Sequence, residues 1–185
     1  MPNKLRCSLL CEDVEQERLF RPILERLFRR VRVEPRRRDG GFTFVLARLT
    51  DAVRYLRRRP DEAVGLLVVI DADDAGFHRR HEEIKKTIRE VGLDVRSLDR
   101  MAVCIPARNV ETWELWLCGF RDLDEQTDFK KRFHREIEQG SRRKQLVDAW
   151  FAPLSEDQRQ AEATILPALA HGRAEVKRLE RFSKS

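Results

Sequence analysis

The sequence VGLLVVIDADDAG, from Val64 to Gly76, predicts the centre of the fold. An unbroken aliphatic run extends as far as Ile70 and then gives way to Asp71, Asp73 and Asp74. Runs of this kind, rich in Val and Ile, are typical of a strand that is covered on both faces of a parallel sheet. The aspartates then lie at the carboxyl end of that strand, where open α/β folds bind their ligands.

The composition is that of a folded chain with a densely charged, basic surface. Of the 185 residues 41% are hydrophobic and 38% are charged, and 38 Lys and Arg against 32 Asp and Glu give a net charge of +6. One domain of this length can bury a sizeable core. The excess of arginine suits a polyanion such as nucleic acid. A merely well-solvated surface explains the charge equally well.

The four cysteines favour a reducing compartment. Cys7, Cys11, Cys104 and Cys118 form no CxxC pair, and three of them lie in apolar, strand-like stretches. We therefore expect buried free thiols rather than a zinc site. The absence of a signal peptide and of a long apolar segment predicts a cytoplasmic protein with no membrane association.

Strands and helices alternate along the first two thirds of the chain. Predicted strands cover residues 5–11, 31–34, 64–70 and 101–105, and predicted helices cover residues 14–29, 44–58, 81–91 and 111–118. Such alternation predicts an α/β fold, with a mostly parallel four-stranded sheet and helices on both faces. Residues 1–120 would form this α/β domain. Residues 121–185, helical from about 122 to 138 and from 155 to 182, would form a helical extension packed on it.

Two of the predicted strands end in acids. Glu12 follows the first strand, and Asp71 and Asp73 follow the central one. If the two strands are parallel neighbours, these carboxylates share one edge of the sheet, and a chain still extended at Asp71 and Asp73 points both to the same side. Two unit charges about 4 Å apart repel by roughly 4 kcal/mol near a surface, so a divalent cation is favoured. The alternative is that these acids only cap the helices that follow.

This arrangement resembles the Toprim domain of topoisomerases, primases and overcoming-lysogenization-defect (OLD) nucleases. The resemblance rests on a strand ending in Glu12, a helix, and a hydrophobic strand ending in the Asp-x-Asp of Asp71 and Asp73. The segment IPARNVETWELWL, residues 105–117, is similar to the Pro-x-x-x-x-Glu-x-Trp stretch of small stand-alone Toprim-like proteins beside ATPases in prokaryotic defence loci. One departure is Asp13, which stands where the family has glycine; it is either an extra ligand or a cap.

The resemblance implies a Toprim-like (Rossmann-like) fold and a nuclease dependent on Mg²⁺ or Mn²⁺. It makes Glu12, Asp71 and Asp73 the catalytic and metal-binding residues, with Glu12 as general acid or base. It also implies DNA or RNA as substrate, a partner ATPase and a role in antiviral defence. The chain itself has no Walker A motif, GxxxxGK[ST]. Homo-oligomerisation stays open.

Glu111 is the next candidate ligand. It begins a helix just after a strand that should end at the same edge, so its carboxylate could reach the metal. An ordinary first-turn acid, stabilised by the helix dipole, is an equal alternative. Trp113, Trp116 and Leu117 on that helix are predicted to be core residues.

Arginines supply the candidate nucleic-acid contacts. Arg36, Arg37 and Arg38 follow the second strand, and Arg108 precedes Glu111, so all four should lie near the carboxylates and could hold phosphates. Arg57–Arg59 precede the central strand and are expected to be a solvated cluster at the opposite end of the sheet.

Three hypotheses about function follow. The leading one is a metal-dependent phosphodiesterase. The second is a non-catalytic Toprim-like subunit that binds an ATPase, with structural acids. The third is a phosphoacceptor domain, which ranks last because no matching Lys or Thr spacing is evident.

Overall fold

The computed structural model of the chain describes residues 6–34, 41–59, 62, 64–92, 99–137 and 143–184. Its centre is a sheet of four parallel strands in the order β2-β1-β3-β4. The strands are β1 (Arg6–Cys11), β2 (Arg30–Val33), β3 (Val64–Val69) and β4 (Met101–Cys104). Every residue of β3 is buried, which confirms the prediction of a central strand covered on both faces.

Helices connect and flank the strands, and the first four follow the predicted order. They are α1 (Val14–Leu27), α2 (Gly41–Arg58), α3 (Phe77–Val91), α4 (Val110–Leu117), α5 (Lys130–Glu136), α6 (Arg143–Phe151), α7 (Glu156–Ile165) and α8 (Pro167–Lys184), with a 3₁₀ turn at Asp73–Ala75. Helix α1 runs through Pro22, because buried residues on both sides of the proline hold it to the sheet.

The helical prediction for residues 122–138 is mostly wrong. Only Lys130–Glu136 is helical among the described residues of that stretch. The preceding segment is held by side chains instead: Asp124 Oδ1 accepts hydrogen bonds from the backbone N atoms of Gln126 (2.7 Å) and Thr127 (2.8 Å). Aspartates that bond their own backbone in this way favour turns over helix.

The two faces of the sheet are covered by different helices. Successive strand residues point to opposite faces, so Leu67 and Val69 pack with α1, α4 and α8, whereas Leu66 and Val68 pack with α2 and α3. The predicted core residues Trp113, Trp116 and Leu117 are buried on the first of these faces. The predicted α/β architecture, with helices on both faces and a helical C-terminal part, is thus confirmed.

Helix α8 covers the edge of the sheet at β4. The backbone N of Val103 donates to Glu175 Oε2 (2.9 Å), and the carbonyl of Met101 accepts from Arg178 Nη2 (2.7 Å). An edge strand otherwise leaves such groups without partners. Close packing holds α8 in place, since a Cβ atom at Gly172 would lie 2.8 Å from the ring of Trp113.

A buried arginine ties the amino end of the sheet to α2. Arg100 is 5% exposed, and its guanidinium donates to the carbonyls of Val64 (3.1 Å) and Glu62 (2.9 Å). It also donates to the carbonyls of Leu56 (3.4 Å) and Arg59 (3.0 Å) at the end of α2. Carbonyls at a helix end lack partners within the helix, so one guanidinium satisfies both elements.

The cysteines agree with the expectation of buried free thiols. All four cysteines are free thiols; Cys7, Cys11 and Cys104 are buried, and Cys118 is half-buried. Burial raises the pKa of the Cys7 and Cys104 thiols, which keeps them protonated. In the part of the chain that the structure describes, none of the helices has the length and apolar character needed to cross a membrane.

Candidate active site at the carboxyl edge of the sheet

Glu12 and Asp71 meet where the two central strands end. Strands β1 and β3 are hydrogen-bonded neighbours, with Cys11 opposite Val69, so the residues that follow them leave the sheet side by side. Glu12 Oε1 accepts a hydrogen bond from the backbone N of Asp71 (3.2 Å). The sequence-based expectation that these two strand ends lie together is confirmed.

Gln16, which the sequence did not single out, connects the same two residues. Its side chain is fully buried in the first turn of α1. Gln16 Oε1 accepts from the backbone N of Glu12 (2.9 Å), and Gln16 Nε2 donates to Asp71 Oδ1 (3.0 Å). Because Asp71 is only 7% exposed, water has little access to its carboxylate, and the Gln16 amide is the polar partner instead.

Asp13 acts as the cap of α1. Its side chain accepts a hydrogen bond from the backbone N of Gln16 (2.8 Å), and its backbone is extended. A carboxylate at this position satisfies one of the free N–H groups of the first turn. The cap therefore also orients Gln16 toward Asp71.

The chain is not extended between Asp71 and Asp73, so that part of the sequence argument is wrong. Ala72 has helical backbone angles, and its N donates to the carbonyl of Pro106 (2.7 Å), which turns the chain after Asp71. Asp73 then has φ +47°, in the left-handed region that aspartate tolerates better than most residues. Asp71 is consequently buried, whereas Asp73 is exposed.

The carboxylates of this edge repel one another and are partly removed from water. Burial raises the pKa of Glu12 to about 7; the hydrogen bond from Asp71 N lowers it, and the charge of Asp73 raises it. Burial, followed by the charges of Asp13 and Glu12, raises the pKa of Asp71 well above its usual range. The four acids therefore form one electrostatic cluster despite the turn at Ala72.

Two basic residues face this cluster, and neither was predicted. Arg80 on α3 favours the charged form of Glu12. Partial desolvation disfavours the ammonium of Lys130, but the charges of Glu111, Asp71, Asp128 and Asp13 together outweigh it, so the pKa of Lys130 is raised. Both residues lie on helices whose sequences read as ordinary charged surface, and only tertiary packing brings them to the acids.

Glu111 lies at this edge as a buried first-turn acid of α4. It is 3% exposed, and burial raises its pKa despite the nearby Lys130. It lies toward Asp13 and Asp71: the charge of Asp13 raises the pKa of Glu111, and the charges of all three acids raise the pKa of Lys130. Both roles considered for it, dipole partner and ligand, are compatible with this position.

Glu114, one turn further along α4, is an acid that the sequence analysis missed. It is 4% exposed, and its Oε2 has no hydrogen-bond partner among the described residues. Burial, then the charge of Glu111, raises the pKa of Glu114 well above its usual range. The sequence feature that could have indicated its burial is its place between Trp113 and Leu115 on a helix with no polar face.

The arginines predicted to hold phosphate are placed only in part. Arg108 Nη1 pairs with Asp74 Oδ1 (2.6 Å), and its Nε donates to the carbonyl of Gln126 (3.2 Å), so this guanidinium lies beside the aspartate turn. Arg36, Arg37 and Arg38 lie outside the described residues.

The donor chemistry of the cluster fits a hard divalent cation, but its geometry is not that of a ready site. The ligands that these acids offer to a metal are all carboxylate oxygens, which Mg²⁺ and Mn²⁺ prefer. Within the described ranges, however, no three His, Cys, Asp or Glu side chains are grouped to hold one ion. Glu12 Oε1 and Asp71 Oδ1 are instead engaged by Asp71 N and Gln16 Nε2.

No protein-family model, no curated protein and no solved structure matches this chain.

Proposed function

We propose that this chain is a Toprim-type phosphodiesterase that hydrolyses DNA or RNA and depends on Mg²⁺ or Mn²⁺. The observation that carries the proposal is the contact between Glu12 Oε1 and the backbone N of Asp71, which joins the acids of two separate strand ends. The charge of Asp73 acts on Glu12, and the charges of Asp71 and Glu111 act on Lys130. A crowded, half-desolvated set of carboxylates is the setting in which a divalent cation is most favoured.

The residues at this edge of the sheet would have different catalytic roles, which follow from their different environments. Asp71 and Asp73, with Glu111, would hold the cation, and Glu12, half-buried and next to Asp71, would move the proton of the attacking water. Gln16 fixes the orientation of Asp71 through its 3.0 Å hydrogen bond. When bound, Mg²⁺ or Mn²⁺ would supply Lewis acidity toward the phosphate and would lower the pKa of a bound water.

The nucleic-acid backbone would be held beside the acids. Arg108 is the described residue best placed for this, because its guanidinium already pairs with a carboxylate of the aspartate turn and can exchange that partner for a phosphate. Arg36, Arg37 and Arg38 stay candidates on the strength of the sequence. The partner ATPase, the defence role and any homo-oligomer are carried only by the resemblance to Toprim-like proteins.

A nuclease assay on four proteins tests the proposal. Wild type is compared with Glu12→Gln, Asp71→Asn and the control Asp157→Asn, which removes an exposed carboxylate on α7. Labelled single- and double-stranded DNA and RNA are offered with Mg²⁺ or Mn²⁺, alone and with a candidate ATPase. We expect cleavage by wild type and Asp157→Asn, and a loss of at least about 100-fold in the two site variants. Equal cleavage by all four proteins, or none under any condition, would overturn it.

A second candidate is a non-catalytic binding subunit in which the acid cluster is structural. The observation that favours it is the engagement of Asp71 Oδ1 by Gln16 and of Glu12 Oε1 by a backbone N–H, so the acids already have partners within the fold. Under this alternative Asp71→Asn removes a buried charge and raises the free energy of unfolding, and Mn²⁺ leaves the melting temperature of wild type unchanged. Under the first proposal Mn²⁺ raises the melting temperature of wild type and not that of Asp71→Asn.

A further inference from the structure

A groove runs along the edge strand β2, between helix α2 on one face of the sheet and the carboxyl end of α1 on the other. The register places Arg30 and Arg32 beside Arg6 and Ser8, on the face that α2 covers. Between these strands and α2 is a cavity of about 750 Å³, whose α2 wall includes Arg48 and Tyr55. The groove is separate from the acid cluster, which lies at the carboxyl ends of β1 and β3, whereas these two strands line the groove through Arg6–Ser8 and Val64–Leu66.

The groove continues along the end of α2. A second depression shares Asp51 and Tyr55 with the first, and a third shares Arg54 and Arg58 with the second. We name this surface the arginine track after the arginines that line its three parts. They are Arg6, Arg29, Arg30, Arg32, Arg48, Arg54, Arg57, Arg58 and Arg59.

The arginine track carries a large positive charge that the described chain does not neutralise. All nine arginines are exposed, and the acids that line the same depressions are Glu25, Glu34, Asp51 and Glu90. Some arginines have local partners, as Arg32 has in Glu34 (3.3 Å) and Arg54 has in Asp51 (3.7 Å). Six of them, Arg6, Arg29, Arg30, Arg48, Arg57 and Arg58, form no ion pair with another described residue.

This distribution identifies the class of partner. Rows of exposed guanidinium groups repel one another, and a chain of phosphates at regular spacing relieves that repulsion while releasing counterions. Guanidinium is also the side chain best matched to phosphate, because its planar fork can donate two parallel hydrogen bonds.

Tyr55 adds a feature that a simple basic patch lacks. It is 40% exposed and stands where the first two depressions join. The guanidinium of Arg59 lies 4.9 Å from its ring centroid. An exposed aromatic ring among cations is the arrangement on which proteins stack an unpaired base. Its local role, a hydroxyl contact with Glu62 Oε2 (3.4 Å), leaves the ring exposed.

We propose that the arginine track binds single-stranded nucleic acid, with phosphates on Arg30, Arg48 and Arg58 and a base stacked on Tyr55. A single strand fits better than a duplex because only unpaired bases can stack on the ring in the wall of the groove. The inference does not rest on hydrolysis. If the chain is a nuclease, the track is a second contact that holds the strand away from the acid cluster.

Binding is measured by fluorescence anisotropy in EDTA, so that cleavage plays no part. The probe is a labelled oligo-dT or oligo-rU of about 20 nucleotides, longer than a single binding site of about 4–16. The variant Arg30→Gln/Arg48→Gln/Arg58→Gln is compared with Arg79→Gln/Arg135→Gln/Arg159→Gln, which removes the same charge from exposed arginines elsewhere. Circular dichroism checks that both stay folded.

We expect the track variant to bind at least about 10-fold more weakly, with a salt slope less steep by about two, and the control to change less than about twofold. Tyr55→Ala should weaken binding at least about fivefold and Tyr55→Phe should not. Because EDTA removes the divalent cation, this binding is measured whether or not the acid cluster is catalytic. Equal weakening by the two triple variants, equal affinity for a duplex of the same length, or no binding at about 50 mM salt would overturn the inference.

Discussion

The side-chain amide of Gln16 donates a 3.0 Å hydrogen bond to Asp71 Oδ1, across 55 residues of sequence. The other end of the same amide accepts from the backbone N of Glu12 (2.9 Å). One glutamine thus satisfies a donor and an acceptor at the ends of both central strands. The bond is buried, so water cannot replace it if the amide is lost.

Replacing Gln16 by leucine should lower the free energy of unfolding by about 2–3 kcal/mol. The leucine fills the space but leaves the Asp71 carboxyl and the Glu12 N–H without partners, and a buried unsatisfied group costs about 1–3 kcal/mol. Urea denaturation measures the change. The control Gln160→Leu, at an exposed position of α7, should stay within about 0.5 kcal/mol. If Gln16→Leu unfolds at the same urea concentration as that control, the bond contributes nothing.

What the sequence could predict at this site depends on the range of the interactions. The aliphatic run before Asp71 and the acid after β1 are local patterns, and they were sufficient to place Glu12 and Asp71 at one edge. The turn at Ala72 depends on a hydrogen bond to the carbonyl of Pro106, which follows another strand. The sequence therefore predicted the wrong direction for the side chain of Asp73. Gln16 and Glu114 look like ordinary helix residues until packing buries them.

For the fold as well, local patterns were predictable from the sequence and long-range contacts were not. Over the first 120 residues, hydrophobic periodicity predicted the order and approximate ends of the strands and helices, because each amphipathic stripe is visible within one element. The position of β2 at the edge, and the covering of β4 by α8, follow from contacts such as Val103 N to Glu175 Oε2 that join distant parts of the chain. No local pattern carries those contacts.

Arg100 should be among the most sensitive positions outside the acid cluster. Its substitution by leucine removes the guanidinium donor from four carbonyls at the end of α2 and the start of β3. The carbonyls of Leu56, Arg59 and Glu62 keep a backbone N–H donor. We expect a loss of about 2–4 kcal/mol in the free energy of unfolding, measured by chemical denaturation.

A lysine at this position should recover only part of that loss, because an ammonium cannot reproduce the spread of the guanidinium fork. The matched control is Arg135→Leu, at a side chain that is 72% exposed, for which we expect a change within about 0.5 kcal/mol. Equal stability of Arg100→Leu and the control would contradict the role of Arg100.

Gly172 should tolerate no side chain. A Cβ atom there would lie 2.8 Å from one ring carbon of Trp113 and 3.0 Å from another, and the indole is fully buried. Gly172→Ala should therefore lower the free energy of unfolding by about 1–3 kcal/mol, although alanine favours helix. Thermal unfolding measures it. The compensating variant Gly172→Ala/Trp113→Phe should recover part of the loss relative to Trp113→Phe alone, and no recovery would place the strain elsewhere.

Glu125 should make stability depend on pH. Its Oε1 accepts from the backbone N atoms of Ala168 (2.8 Å) and Leu169 (3.3 Å) at the start of α8. Burial raises the pKa of Glu125 to about 7, although both N–H groups lower it. The folded state therefore binds this proton more tightly than the unfolded chain does. Its stabilising contribution is complete below about pH 4.5 and is lost as the pH rises through about 7.

Glu125→Gln isolates this contribution, because the amide oxygen can still accept both hydrogen bonds but carries no charge to desolvate. The free energy of unfolding of wild type, minus that of Glu125→Gln, should fall by roughly 1–2 kcal/mol between about pH 4.5 and pH 7.5, after allowance for partial exposure. Denaturation curves at closely spaced pH values measure the difference. The control Glu156→Gln, at an exposed carboxylate, should show no such fall. If the free-energy difference between wild type and Glu125→Gln is constant or rises with pH, the folded state does not prefer the protonated form of Glu125.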